Sequence, residues 1–205
     1  MKIKAVNHGL ELAQGFGPPR GEGIHVSDLY NHWYAAREPK RYGKGGRKPV
    51  ELWELGMSWE EILELGLKQR GTFTTNAMDW FRPGEMTTEE GFFFNPDLYC
   101  HHVGKDYGGE IKLTFMSANG VSWKPGKPCD ALPTKFEKYV TQTQIYGHHM
   151  QVARWWLFVF FVNEAAPWSK APERALRVWE LEHTKREMAL EWKLCMDHAR
   201  RNNLV

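Results

Sequence analysis

Two acids and a lysine stand at the ends of two apolar runs. Asp97 follows Phe92-Phe93-Phe94-Asn95-Pro96, and Glu110 and Lys112 alternate with Ile111 and Leu113. Two short extended runs joined by a polar, glycine-containing connection predict a β-hairpin. Side chains alternate along a strand, so Glu110 and Lys112 share one face while Ile111 and Leu113 take the other. With Asp97 on that face of the neighbouring strand, two carboxylates and an ammonium meet at one place. Two bare carboxylates ~4 Å apart repel by roughly 4 kcal/mol at an effective dielectric near 20, which favours a cation between them. An all-oxygen ligand set selects a hard ion. Mg²⁺, which takes one or two carboxylates and keeps water and substrate phosphate, suits it best. Lys112 would orient a water or share the charge that develops on a phosphate.

Pro96-Asp97, twelve intervening residues and Glu110-x-Lys112 together resemble the signature of the PD-(D/E)xK nuclease superfamily. Gln142-Thr143-Gln144-Ile145-Tyr146 is similar to the QxxxY motif of its RecB-like branch, which includes lambda-exonuclease-type, YqaJ-type and CRISPR-adaptation nucleases. Gly56-xxx-Glu60 resembles the Gly-xxx-Glu on the first core helix of the lambda-exonuclease and YqaJ types. The resemblance runs from residue 56 to residue 162. It implies an α/β fold with a restriction-endonuclease-like core, a central mixed β-sheet flanked by α-helices. It also implies Asp97, Glu110, Lys112, Gln142 and Tyr146 as catalytic residues. Glu60, Asp97, Glu110 and the backbone carbonyl of Ile111 would hold Mg²⁺ or Mn²⁺, and Glu64, one turn beyond Glu60, is the substitute carboxylate.

The implied activity is hydrolysis of phosphodiester bonds in linear duplex or single-stranded DNA. The resembling branch points to an exonuclease of recombination or repair, with a phage gene as one origin. A structure-selective DNA endonuclease and a non-catalytic nucleic-acid binding protein that keeps the fold are the alternatives. A homo-oligomer or a recombination-protein partner fits the same motifs. Some relatives hold an iron–sulfur cluster on four cysteines; the three here, Cys100, Cys129 and Cys195, cannot supply that set, so no cluster is expected.

The elements that must position these residues follow from composition and periodicity. With 205 residues, 42% of them hydrophobic, the chain can bury one sizeable core. The expected organisation is a glycine- and proline-rich arm or loop over residues 1–23 and a single nuclease domain over 24–205. A net charge of +2 creates no global field, so DNA contacts would come from local clusters. Candidates are the six Lys and Arg between Arg37 and Lys48, and Lys124 and Lys127 with their flanking prolines. An odd, scattered set of cysteines fits a reducing compartment. No apolar run reaches the ~18 residues of a membrane span. The expected location is therefore the cytoplasm, without membrane contact, and the resemblance implies a bacterium or a phage-infected host.

Ser27 is the expected cap of a first helix carrying Leu29, Tyr30, Trp33 and Tyr34 on its core side. Ser58-x-x-Glu61 reads as a capping box ahead of a stripe of Trp59, Ile62 and Leu63. The stretch from Thr72 to Phe81 reads as a short strand or extended edge. Cys100, His101 and His102 fall in the expected hairpin loop as surface residues. Pro133 to about Arg154 reads as one long helix presenting Gln142 and Tyr146 on one face, and Trp155–Val162 as a central strand covered on both sides. Arg177–Leu181 would add an edge strand. Thr184-x-x-Glu187 would cap a last helix with the stripe Met188, Trp192, Cys195 and Ala199.

Overall fold

The computed structural model describes residues 22–42, 55–56, 58–63, 79–118, 121, 132–164 and 175–205. Outside them lie the arm up to residue 21, the basic run beyond residue 42, Glu64, Thr72–Thr75, the Lys124–Pro128 segment and Cys129. The chain is a mixed α/β structure. Its four-stranded sheet has the order β3-β4-β5-β6, from Leu98–His102 (β3), Lys105–Thr114 (β4), Arg154–Phe161 (β5) and Leu176–Glu182 (β6). β4 and β5 are parallel, and the outer pairs are antiparallel. A separate two-stranded ribbon joins Met86–Thr87 (β1) to Phe93–Phe94 (β2).

The helices are Val26–Arg37 (α1), Pro39–Tyr42 (α2), the helical residues 58–63 (α3), Glu137–Met150 (α4, entered through the 3₁₀ turn Thr134–Phe136) and Lys185–Arg201 (α5). Alternation along β5 shows where each packs. Trp155, Leu157, Val159 and Phe161 face α4 and its entry turn, whereas Trp156 and Phe158 face Trp80 and Leu63 of α3. β5 is thus apolar on both sides, as a parallel-sheet centre must be. On the α4 side, α1 and α5 complete the layer, with Val26, Leu29, Tyr30, Trp33 and Tyr34 buried against Trp192, Cys195 and Ala199. The Thr184 capping box forms in full, with Glu187 N–H donating to Thr184 Oγ1 at 3.2 Å and Thr184 N–H donating to Glu187 Oε2 at 2.7 Å. Among the described residues, no helix is long and apolar enough to cross a membrane.

The hairpin differs from the expected one. Phe93–Phe94 belongs to the β1-β2 ribbon, and the partner of β4 is Leu98–His102, so Cys100, His101 and His102 are strand residues. The turn is Val103-Gly104, with φ of +48° and +67°, the doubly positive conformation whose twist matches a two-residue hairpin. Gly108 and Gly109, which read as loop, lie inside β4 for want of room. A Cβ on Gly108 would sit 2.6 Å from the Trp155 ring, and one on Gly109 2.8 Å from Leu98 Cβ.

Three smaller expectations also change. His25 caps α1 in place of Ser27, because His25 bridges Phe93 and its carbonyl accepts from Asp28 N–H at 2.9 Å, so the helix springs directly from that bridge. Ser58 is itself helical, with helical Leu55 and Gly56 ahead of it, and Ile62 is exposed. α4 stops at Met150, where Gln151 adopts φ +57° and the chain turns directly into β5.

Valine pays a steric penalty at positive φ, of about 1–2 kcal/mol, because Cβ meets the following carbonyl. Val103→Asn should therefore raise the unfolding free energy by about 1 kcal/mol in denaturant titration. His183 gives a second expectation. Thr143 Oγ1 donates to Val140 O at 2.8 Å and lies 2.9 Å from His183 Nε2, which makes that nitrogen the donor of a neutral ring. Burial lowers the His183 pKa from 6.5 to about 4. The unfolded chain then binds the proton first, so stability is complete above pH 6.5 and falls as pH drops toward 4, by roughly 3 kcal/mol from this group. His183→Asn should flatten that limb of a stability–pH curve.

Candidate active site

β4 carries the centre of the site. In the parallel register Glu110 lies beside Leu157 and Lys112 beside Val159, so both charged side chains point to the α4 face while Ile111 packs below with Leu98 and Phe158. In the antiparallel register Leu98 faces Gly109, and the next step back along β3 brings Asp97 opposite Glu110. Asp97 Oδ2 accepts the Ile111 N–H at 2.7 Å and lies 3.7 Å from Lys112 Nζ. The Lys112 ammonium also contacts Glu110 Oε1. The three residues singled out by their spacing are therefore in one cluster.

Glu60 approaches from α3, on the other side of the sheet, where Trp59 stacks on Phe160 with ring centroids 3.9 Å apart. Burial first, then the charge of Asp97, pushes the Glu60 carboxyl up to about 8, while Lys112 and Arg82 pull it down. Arg82 reaches Glu60 at 3.9 Å, the outer limit of an ion pair. Glu110 has no exposed surface. Burial and then Asp97 push it up to about 8 as well, against the pull of Lys112. The Lys112 ammonium loses hydration by burial, yet Glu110, Asp97 and Glu60 together hold it protonated well above its ordinary range.

One ammonium contacts both Asp97 and Glu110, and Glu110 Oε2 is buried with no hydrogen-bond partner. A buried ionised oxygen without a partner costs several kcal/mol, so the cluster takes up protons or a cation. Among the described residues, no three Asp, Glu, His or Cys side chains form a ready-made metal cage. The donor set is instead the open kind that suits Mg²⁺ or Mn²⁺, a few carboxylate oxygens with the remaining positions left to water and substrate.

α4 closes the cluster from above. Gln142 and Tyr146 are both buried, and Tyr146 packs its ring 5.3 Å from Phe94 and 6.4 Å from Trp155. Burial raises the Tyr146 hydroxyl well above its usual pKa, and the fields of Tyr30, Glu110 and Asp97 add to the rise. α4 thus packs on the sheet face that carries Glu110 and Lys112. Ile111 enters the site through its N–H.

Two tyrosines were not singled out from the sequence. Tyr139 lies on α4 with the Lys112 ammonium 5.4 Å from its ring centre. Tyr30, from α1, donates to Gln142 Oε1 at 2.9 Å. Their only signal was membership of an apolar stripe, which a core residue shares. His148 and His149 lie ring to ring 5.1 Å apart, with His149 edge-on to Trp192 at 4.5 Å. His101 bonds Asp106 at 2.7 Å on the exposed edge strand.

No family model and no curated protein matches the chain. A solved structure described as the crystal structure of SSO0001 is similar at 17% identity and a TM-score of 0.47, covering 91% of this chain and 79% of that one.

Proposed function

We propose that the chain is a metal-dependent deoxyribonuclease of the PD-(D/E)xK type that hydrolyses phosphodiester bonds. One observation supports this most: Asp97, Glu110 and Lys112, distant in sequence or alternating along a strand, meet around a buried carboxylate oxygen that no protein donor satisfies. Glu60, Asp97 and Glu110, with the carbonyl of Ile111, would hold Mg²⁺ or Mn²⁺. When bound, such an ion lowers the pKa of a water and neutralises charge on the phosphate.

The chain's own groups do the rest. Asp97, pinned by the Ile111 N–H, keeps one oxygen fixed in the site. Lys112, protonated between its acids, supplies a positive charge where the attacked phosphate gains negative charge. Gln142 offers an amide donor and Tyr146 a protonated hydroxyl, both suited to hold a phosphate oxygen. DNA is the proposed partner, with the exonuclease form preferred and the cytoplasm as location.

Incubation of the purified protein with linear, closed circular, nicked and single-stranded DNA, with Mg²⁺ or Mn²⁺ and with chelator, tests the reading. Metal-dependent loss of linear but not circular DNA supports an exonuclease; cutting of both supports an endonuclease. DNA binding without cleavage under any metal would leave only a binding protein.

A further inference from the structure

Tyr30 belongs to none of the nuclease motifs, yet it bonds to a residue of one. It is 5% exposed and Gln142 is 6% exposed, and its hydroxyl reaches Gln142 Oε1 across 112 positions of sequence. Its ring lies 5.7 Å from the Lys138 ammonium.

A carboxamide has one acceptor oxygen and one nitrogen with two donor hydrogens. With Oε1 taken by Tyr30, Nε2 is the end left for the site. The reverse orientation would turn Nε2 to the hydroxyl and the carbonyl oxygen away from it, giving up the bond that the hydroxyl donates. One residue away, the same two helices make a comparable contact that does not involve a motif residue: the Tyr34 and Thr141 hydroxyls lie 2.8 Å apart.

We propose that Tyr30 is a positioning residue, whose hydroxyl locks the Gln142 carboxamide so that Nε2 is presented as a donor to a phosphate oxygen of the DNA strand. The proposal rests on the nuclease reading of this site. Tyr30 acts through Gln142, so the two should behave as one unit, whereas Tyr34 should serve only the packing of α1 on α4.

The test is a double-mutant cycle read by Mg²⁺-dependent digestion of linear DNA, with thermal unfolding measured on every variant. Tyr30→Phe should lower kcat about 10- to 100-fold, as loss of an outer-shell partner does, with KM within about twofold of wild type. Tyr34→Phe, which removes a similar buried hydroxyl from the same helix, should shift Tm comparably and leave kcat unchanged. In a Gln142→Ala background Tyr30→Phe should have no further effect, and the same cycle on Gln142→Met, which keeps side-chain length, should agree. Full activity in Tyr30→Phe, equal kcat losses in Tyr30→Phe and Tyr34→Phe, or multiplicative losses in the double variant would overturn the positioning role while leaving the nuclease reading intact. A wild-type protein that folds and cuts no DNA with any divalent metal would overturn both.

Discussion

Asp97→Asn should abolish metal-dependent cleavage, a fall of at least about 10²–10³-fold in kcat, in a protein that still folds. Asp97 Oδ2 has a structural task and a chemical one: it accepts the Ile111 N–H at 2.7 Å and it faces Lys112 at 3.7 Å. Asparagine keeps an acceptor for the amide and removes the charge, so the β3-β4 entry survives while the anionic ligand is lost. Lys112→Ala should be equally inactive but a poorer probe. Removing one partner of a buried pair typically costs about 3–5 kcal/mol, so its inactivity would mix lost chemistry with lost folding. A near-wild-type melting temperature with wild-type cleavage in Asp97→Asn would contradict the assignment of this aspartate.

Glu110→Gln should make the metal-free protein more stable at alkaline pH while removing its activity. Burial holds the Glu110 carboxyl at about 8 in the folded chain, above its ordinary 4.5, so the unfolded chain releases that proton first. Stability from this group is complete below pH 4.5 and is lost as pH rises through 8; Glu60 runs in the same direction. Glutamine cannot ionise and fills the same volume. In chelator at pH 9 the variant should melt about 5 °C above wild type, given about 2–4 °C per kcal/mol for a chain of this size. At pH 5 the advantage should vanish. Mg²⁺ should raise the wild-type melting temperature more at pH 9 than at pH 6 and move the variant less. Parallel pH profiles for the two proteins in chelator would show that Glu110 is not the strained carboxylate.

What the sequence revealed follows the range of the interactions involved. The Glu110–Lys112 geometry was legible because a two-residue alternation places both on one face whatever the rest of the chain does. The apolar run of β5 and the Thr184 capping box were legible for the same local reason. The hairpin was misread because its turn uses Val103 at positive φ, where asparagine or glycine is the usual signal. Gly108 and Gly109 imitated that signal, although they are small because Trp155 and Leu98 press on the strand. Ile62 completed an apolar stripe on paper yet is exposed. Tyr30 was invisible as a site residue because its partner is far away in sequence, while its neighbours Trp33 and Tyr34 make it look like core.

The arrangement also accounts for a tension within the fold. A carboxylate without exposed surface and an orphaned oxygen are each unfavourable for the protein alone. Under the proposed function a divalent cation would offset the carboxylate charge, which is how a site can be held ready at the expense of stability.

Diffraction from crystals grown with Mn²⁺, read in the anomalous difference map, tests the central claim most directly. The expected result is a peak within roughly 2.5 Å of carboxylate oxygens of both Asp97 and Glu110. A map with no peak there at saturating Mn²⁺, with both acids still turned onto Lys112, would contradict it.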